Sequence, residues 1–430
     1  MSASVTEHIL SNGLTIFLKE IHTAPIISHW VWYRVGSRLE NPGKTGASHW
    51  VEHMQFKGTP RFPGGILDKS IARTGGTWNA FTHMDWTTYY ETLPADQIDL
   101  ALTLEADRMI HSEFKPEQVD SERTVILSEL AGSQNEPEYR LSEAVQKAAF
   151  REHPYHNEVI GSVDDLNRMQ RDDLYGHYRR YYNPSNALVA IAGDFDTQEI
   201  LKTIVDEYGG IPSGIQSIEP VQAEPRMDSE QRIELVGPSN ATYIDLAYRS
   251  PAASHPDFFV FTILDSLLCG PASLNMFGGG GISNKTSRIY HSLIEKELAV
   301  TAYGGLQATI DPFMYEIGIT VRPDRTPGQV LEALDIEIQK LQNELISKEE
   351  IARAAKQARA MFAYGSENIT NQAFWLGYAE MFAKYTWFTE YLARLEQVTP
   401  EDVQRVAQTY LLSDQRVVGV FLPQANLEGK

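Results

Sequence analysis

The sequence predicts a chain made of two copies of one unit in which strands and helices are mixed, and three observations predict it. The chain has 430 residues, 42% of them hydrophobic, which is too long for one ordinary core and suggests roughly two to four domains. The stretch Glu401 to Tyr410 followed by Arg416 to Phe421 echoes Asp173 to Tyr182 followed by Ala187 to Ala192. In both, a helix ends in Tyr and an apolar strand follows a short turn. Laying Ile346 to Arg353 over Phe114 to Ser121 extends the echo, with Ala354 opposite Glu122 and Met361 opposite Glu129. Between the copies, Gly209 to Asp228 holds three Pro and three Gly and reads as a linker, giving domains 1–210 and 229–430 joined by 211–228.

The elements follow in order. Asn12-Gly13 between His8–Ser11 and Leu14–Lys19 is a strong hairpin signal. Ile26 to Val35, rich in β-branched and aromatic residues, is a third strand, and Gly36 to Gly46 a loop leading to a helix. Ile66 to Arg73 is a short helix broken at Gly75-Gly76, and Thr77 to Thr92 is one strand, or two joined near His83 to Asp85. Ala95 to His111 and Pro116 to Gln134 are helical, the second with Pro116 in its first turn, where the missing N–H costs nothing. Leu141 to Phe150 and Arg171 to Tyr182 are helices, Ala187 to Ala192 is a buried strand, and Asp196 to Tyr208 is a helix. In the second copy Pro256 to Leu268 is an apolar helix, Lys285 to Glu297 a helix and Met314 to Val321 a strand.

The chemistry is concentrated in one helix, at His49-x-x-Glu52-His53. Residues three and four apart share a helix face, so both imidazoles and the carboxylate point into one small volume. Imidazole nitrogens suit zinc, and a carboxylate one turn away can take a proton from a water held there. Cys269 is the only cysteine, so a zinc site must use His and carboxylate, and no internal disulfide can form. The second copy has no counterpart, because Pro256 to Leu268 carries no such ligand set.

This motif resembles that of the pitrilysin/insulinase-type (M16) zinc metallopeptidases, the group that includes the mitochondrial processing peptidases. Phe56 to Thr59, Asn79 to Thr82, His153 to His156 and Tyr182 to Asn186 match further pieces, so the resemblance covers nearly the whole chain. It implies an α+β fold of two homologous repeats, each a largely antiparallel sheet covered by helices, with only the first repeat catalytic. It implies a third metal ligand at Glu129, with seventy-five residues between it and His53, and at Glu122 a carboxylate that orients a ligating imidazole. One zinc per chain would then sit on His49, His53 and Glu129, with Glu52 as the general base. The resemblance also makes the strand of Asn79, Ala80 and Phe81 a free sheet edge on which an extended peptide substrate pairs through its backbone.

Active relatives enclose the peptide between two such halves, the half facing the zinc contributing an Arg and a Tyr to the scissile carbonyl. In this chain's second copy the strand Met314 to Val321 is acidic at Glu316 and has no Arg before Arg322, and the following turn to Gln329 has no Tyr. The expected partner is therefore a related but different subunit carrying that pair, in a heterodimer.

Other features are bounded more simply. A formal charge of -20 argues against a nucleic-acid partner, and no run approaches the roughly eighteen apolar residues of a membrane span. The N-terminus lacks a signal-peptide pattern, which reads as cytoplasmic, or periplasmic if the start is processed. The glycine run Gly278 to Gly281 before Lys285-Thr286 fails as a phosphate loop, since Asn284 stands where Gly must precede Lys, and reads as a flexible loop. His83, His153 and His156 read as hydrogen-bonded structure before they read as ligands.

Overall fold

The computed structural model describes residues 5–214, 220–271 and 282–424. The run Gly278 to Gly281 and residues 215–219 of the expected linker lie outside the described residues.

The backbone folds into two compact units, one of residues 1–130, 157–221 and 366–385, the other of residues 131–156, 222–365 and 386–430. These differ from the sequential division into 1–210 and 229–430, because each unit takes a helix from the other half of the chain. The first unit carries a six-stranded sheet of β1 (Val5–Ile9), β2 (Thr15–Glu20), β3 (Ile26–Tyr33), β4 (Thr77–Thr82), β5 (Thr87–Pro94) and β6 (Ala187–Gly193), in the order β1-β2-β6-β3-β5-β4. Only β2 and β6 run parallel. The expected hairpin is there, with Ile9 opposite Thr15 and Gly13 at φ 92, a left-handed conformation that glycine adopts without strain. The stretch from Thr77 resolves into two strands turning at His83 to Asp85, and β4 is an edge of the sheet.

Among the described residues the second unit repeats the plan without its first strand. Its strands β7 (Gln231–Gly237), β8 (Thr242–Arg249), β9 (Ala299–Leu306), β10 (Met314–Val321) and β11 (Arg416–Pro423) form a sheet in the order β7-β11-β8-β10-β9, with β7 and β11 parallel. Each β7 to β11 position thus has a counterpart in the first sheet, as the sequence echo requires. The helix expected over Lys285–Glu297 is there in shorter form, over residues 288–294, and widens at Tyr290–Ile294, where the Glu295 N–H reaches the Tyr290 carbonyl at 3.0 Å. Glu297, at φ 54, then turns the chain into β9.

The exchanged helices explain themselves through packing. In the first unit Ile369–Phe382 lies on β3 and β6, with Phe374 and Tyr378 against the stacked indoles of Trp30 and Trp32. Gly377 is what lets it approach: a Cβ there would sit 2.1 Å from the Trp32 indole nitrogen. In the second unit Pro137–Ala149 lies on β8 and β11, where Gly419 leaves room for Leu141 and Val145. Both sheets are thereby buried on two faces, consistent with the uninterrupted apolar reading of β6.

Candidate metal centre

The helix of the His-x-x-Glu-His motif runs Ala47–Met54. Trp50, Val51 and Met54 are buried in the core of the first unit, which fixes the helix rotation and leaves His49, Glu52 and His53 on the other stripe. The glutamate helix, Pro116–Ser133, is anchored in the same way by Val119, Ile126 and Leu130. These two rigid elements bring the residues together that the sequence keeps far apart.

His49 Nε2 and His53 Nε2 lie 3.9 and 3.8 Å from Glu129 Oε2, and the three ligand atoms lie within 4.8 Å of one another. Ligands of a tetrahedral zinc at about 2.0–2.1 Å stand about 3.3 Å apart, so the two His-to-Glu129 distances exceed that spacing by about half an ångström. Among the described residues this is the one group of three or more His, Cys, Asp or Glu side chains able to converge on a metal. The two rings meet edge to face, 4.5 Å between centroids, with their Nε2 atoms turned to the same glutamate.

The surroundings set the protonation states. Glu122 Oε1 lies 2.8 Å from His53 Nδ1, so in the neutral ring that nitrogen donates and Nε2 keeps its lone pair for a metal. The other oxygen of Glu122 is paired with Lys57. Burial opposes ionisation of Glu122, but its bonds to His53 and Lys57 prevail and hold its carboxyl below the usual range. Burial also acts to lower His53, yet the Glu122 bond and the charges of Glu52, Glu122 and Glu129 raise it overall. Burial, then the charge of His53, brings His49 down to about 3, leaving a neutral imidazole able to ligate. Glu52 is buried, which pushes its carboxyl up, and it accepts a hydrogen bond from Thr82 Oγ1 at 2.5 Å.

Thr82 belongs to β4, so the general-base candidate is tied directly to the sheet edge. On that edge Asn79 is exposed, Ala80 is buried, and Phe81 stacks parallel to Tyr90 at 6.2 Å. The Ala80 N–H is taken up by Asn79 Oδ1 at 2.9 Å. All the site residues read from the sequence therefore fall on three neighbouring elements. Thr82 and Lys57 were not singled out in the sequence. Thr82 and Lys57 stand inside the quoted pieces Asn79 to Thr82 and Phe56 to Thr59, but their partners are 30 or more positions away, beyond any local pattern.

The remaining histidines are placed elsewhere. His83 stacks on Trp86 at 4.9 Å, His153 pairs with Asp311 at 3.1 Å, and His156 Nδ1 bonds the His153 carbonyl. Cys269 is buried with its sulfur 3.1 Å from the Tyr315 hydroxyl. No described helix is long and apolar enough to cross a membrane.

Comparison with known proteins is consistent with this geometry. Residues 15–163 match the family model of insulinase (peptidase family M16), and residues 168–358 match that of the peptidase M16 inactive domain. A Mycobacterium bovis protein named as an uncharacterized zinc protease is 28% identical over 417 residues, 96% of this chain and 91% of its own. The crystal structure of a protease from Helicobacter pylori superposes with a TM-score of 0.90 at 25% identity, covering 98% of this chain and 100% of that one. The periplasmic protease PqqL from Escherichia coli shares the fold with a TM-score of 0.78 at 19% identity, and 98% of this chain covers only 48% of it. With the metal-ligand set in its first unit and an inactive-domain match over most of its second, the chain belongs to the M16 family of peptidases.

Proposed function

We propose that this chain is the zinc-bearing half of an endopeptidase that cleaves unfolded peptides inside a chamber closed by a second, related subunit. The observation that carries the proposal is the convergence of His49, His53 and Glu129, with buried Glu52 one turn away and held by the edge strand. Zinc, when bound, supplies the charge that activates a water and polarises the scissile carbonyl. Glu52 accepts the proton of the attacking water as its oxygen bonds to the carbonyl carbon. It then delivers that proton to the leaving amine as the C–N bond breaks. Glu122 keeps the His53 ring in the tautomer that presents Nε2.

Substrate is held by β4, whose outer edge has no strand partner among the described residues. Backbone pairing there accepts any extended sequence, so selection favours unfolded peptides. Asn79 is exposed beside Ala80 and is placed to exchange its bond to the Ala80 N–H for one to substrate.

The case for a second subunit rests on the resemblance to peptidases that enclose substrate between two halves and on what the second unit lacks. This chain spans about half of PqqL. Its own β10 holds Glu316, and the following Arg322 is engaged with Glu297 and Asp324. A related subunit offering an Arg and a Tyr to the developing oxyanion would add about 3 kcal/mol per donor. The test is to assay the purified chain at saturating zinc on an unfolded fluorogenic peptide, alone and with candidate related subunits from the same source. Activity appearing only with the second protein supports the heterodimer. Full activity of the self-assembled chain overturns it, and no hydrolysis under either condition favours a non-catalytic structural subunit.

A further inference from the structure

The two histidines of the metal centre are held in different ways. The His53 ring is fixed directly, by Glu122 on its Nδ1 at 2.8 Å. The corresponding atom of His49 is buried and has no hydrogen-bond partner among the described residues. The orientation of His49 must therefore come from its backbone and its packing. His49 is the third residue of an eight-residue helix, in the turn where N–H groups have no intrahelical acceptor and fraying begins.

That turn has no ordinary cap. Its N-cap position is Gly46, at φ 88 with no side chain to offer. A Cβ there would come 2.4 Å from the Ile160 carbonyl oxygen, so Ser, Asp or Asn could not stand in its place without rearrangement. The acceptor comes instead from Glu40. One of its oxygens takes the Gly46 N–H and the other the Ser48 N–H, each at 2.7 Å, and the carboxyl group is buried with the helix start. Asp165 holds the preceding residue, accepting from the Thr45 N–H at 3.1 Å and the Thr45 hydroxyl at 2.7 Å.

We infer that Glu40 is a positioning residue for the metal ligand His49: its two-pronged grip on the first turn does for His49 what Glu122 does for His53. The inference rests on the reading of His49, His53 and Glu129 as a zinc site. In ordinary metal sites, loss of a group that orients a ligand weakens metal binding roughly 10- to 100-fold. Glu40→Ala should reach that range. Glu40→Gln retains one acceptor oxygen and should fall between Glu40→Ala and wild type.

The experiment measures zinc affinity by competition with a chromophoric chelator, together with the visible spectrum of the cobalt-substituted protein, on wild type, Glu40→Ala, Glu40→Gln and Asp196→Ala. Asp196 caps the helix Thr197–Tyr208 of the same unit through the Gln198 and Glu199 N–H groups, so its removal reports on cap loss away from the metal. The expected result is weaker zinc binding and an altered cobalt spectrum in the Glu40 variants, with Asp196→Ala binding as wild type does. Thermal unfolding of the metal-free proteins shows whether the Glu40 variants remain folded, and Glu40→Gln provides the readout if Glu40→Ala does not. Zinc affinity and cobalt spectrum unchanged in a folded Glu40 variant, or lowered equally in Asp196→Ala, would overturn the inference while leaving the zinc site standing. A wild type that binds no zinc would overturn the site itself.

Discussion

Replacing Glu52 by Gln separates the chemistry from the architecture that supports it. The amide keeps the volume of the side chain, and its carbonyl oxygen can still accept the Thr82 hydroxyl that Glu52 Oε2 accepts at 2.5 Å. The ligand atoms of His49, His53 and Glu129 are untouched, so zinc should remain at one per chain. What is lost is the acceptor for the water's proton. General-base catalysis of this kind contributes about 10²–10⁴ in rate. At 1.36 kcal/mol per decade that is about 3–5 kcal/mol of transition-state stabilisation. Because the buried amide carries no charge, the fold should be at least as stable as wild type. The assay is kcat/KM on an unstructured fluorogenic peptide, under the conditions that give wild-type turnover, with zinc measured by atomic absorption on the same samples. A fully metallated Glu52→Gln protein that retains more than about a tenth of the activity would refute the role given to Glu52, since one decade is less than the smallest general-base effect.

Three further perturbations have defined outcomes. Glu129→Gln should lose zinc, whereas Met361→Glu should gain none, because Met361 is buried in the second unit, where no group of three or more His, Cys, Asp or Glu among the described residues converges on a metal; metal stoichiometry checks both, and two zincs per wild-type chain would contradict the single site. Gly377→Ala should destabilise the first unit by about 1–3 kcal/mol through overpacking, since the new methyl group would lie 2.1 Å from the Trp32 indole nitrogen; denaturant unfolding measures it. Burial pushes Asp265, which accepts the Tyr315 hydroxyl at 2.6 Å, up to about 7. The folded state then holds a proton that the unfolded state releases near pH 4, so this group's contribution to stability falls as pH rises from about 4 to 7 and levels off above. Asp265→Asn should show less of this fall and be the more stable protein at pH 8 by up to about 4 kcal/mol, with no such gain at pH 4, as read from unfolding curves at the two pH values.

Features that depend on neighbours along the chain can be read from the order of residues alone. Asn12-Gly13 specified a hairpin because a two-residue turn selects its own residues. The spacing of His49, Glu52 and His53 placed them on one face because helical periodicity is local. The repeat of strands and helices was legible because each copy must satisfy the same alternation of apolar and polar positions. The resemblance then pointed to Glu129 and Glu122, which no spacing rule connects to His53, and the geometry brings both to the same small volume.

Features that depend on contacts between distant segments become visible only in the folded chain. That Ile369–Phe382 packs on the first sheet and Pro137–Ala149 on the second follows from the complementarity of Gly377 with Trp32, and of Gly419 with Leu141 and Val145, which no local pattern announces. The edge position of β4 is set by strand order, which a sequence of alternating residues leaves open. The bonds from Thr82 to Glu52 and from Lys57 to Glu122 join residues far apart in the chain. Glu40 is close to its helix in sequence, yet its carboxylate reads as a loop charge until the loop folds back and brings it onto the Gly46 and Ser48 N–H groups. A helix face is written in a few turns of chain, but the protonation and aim of each side chain on it are set by whichever distant groups the fold packs against them.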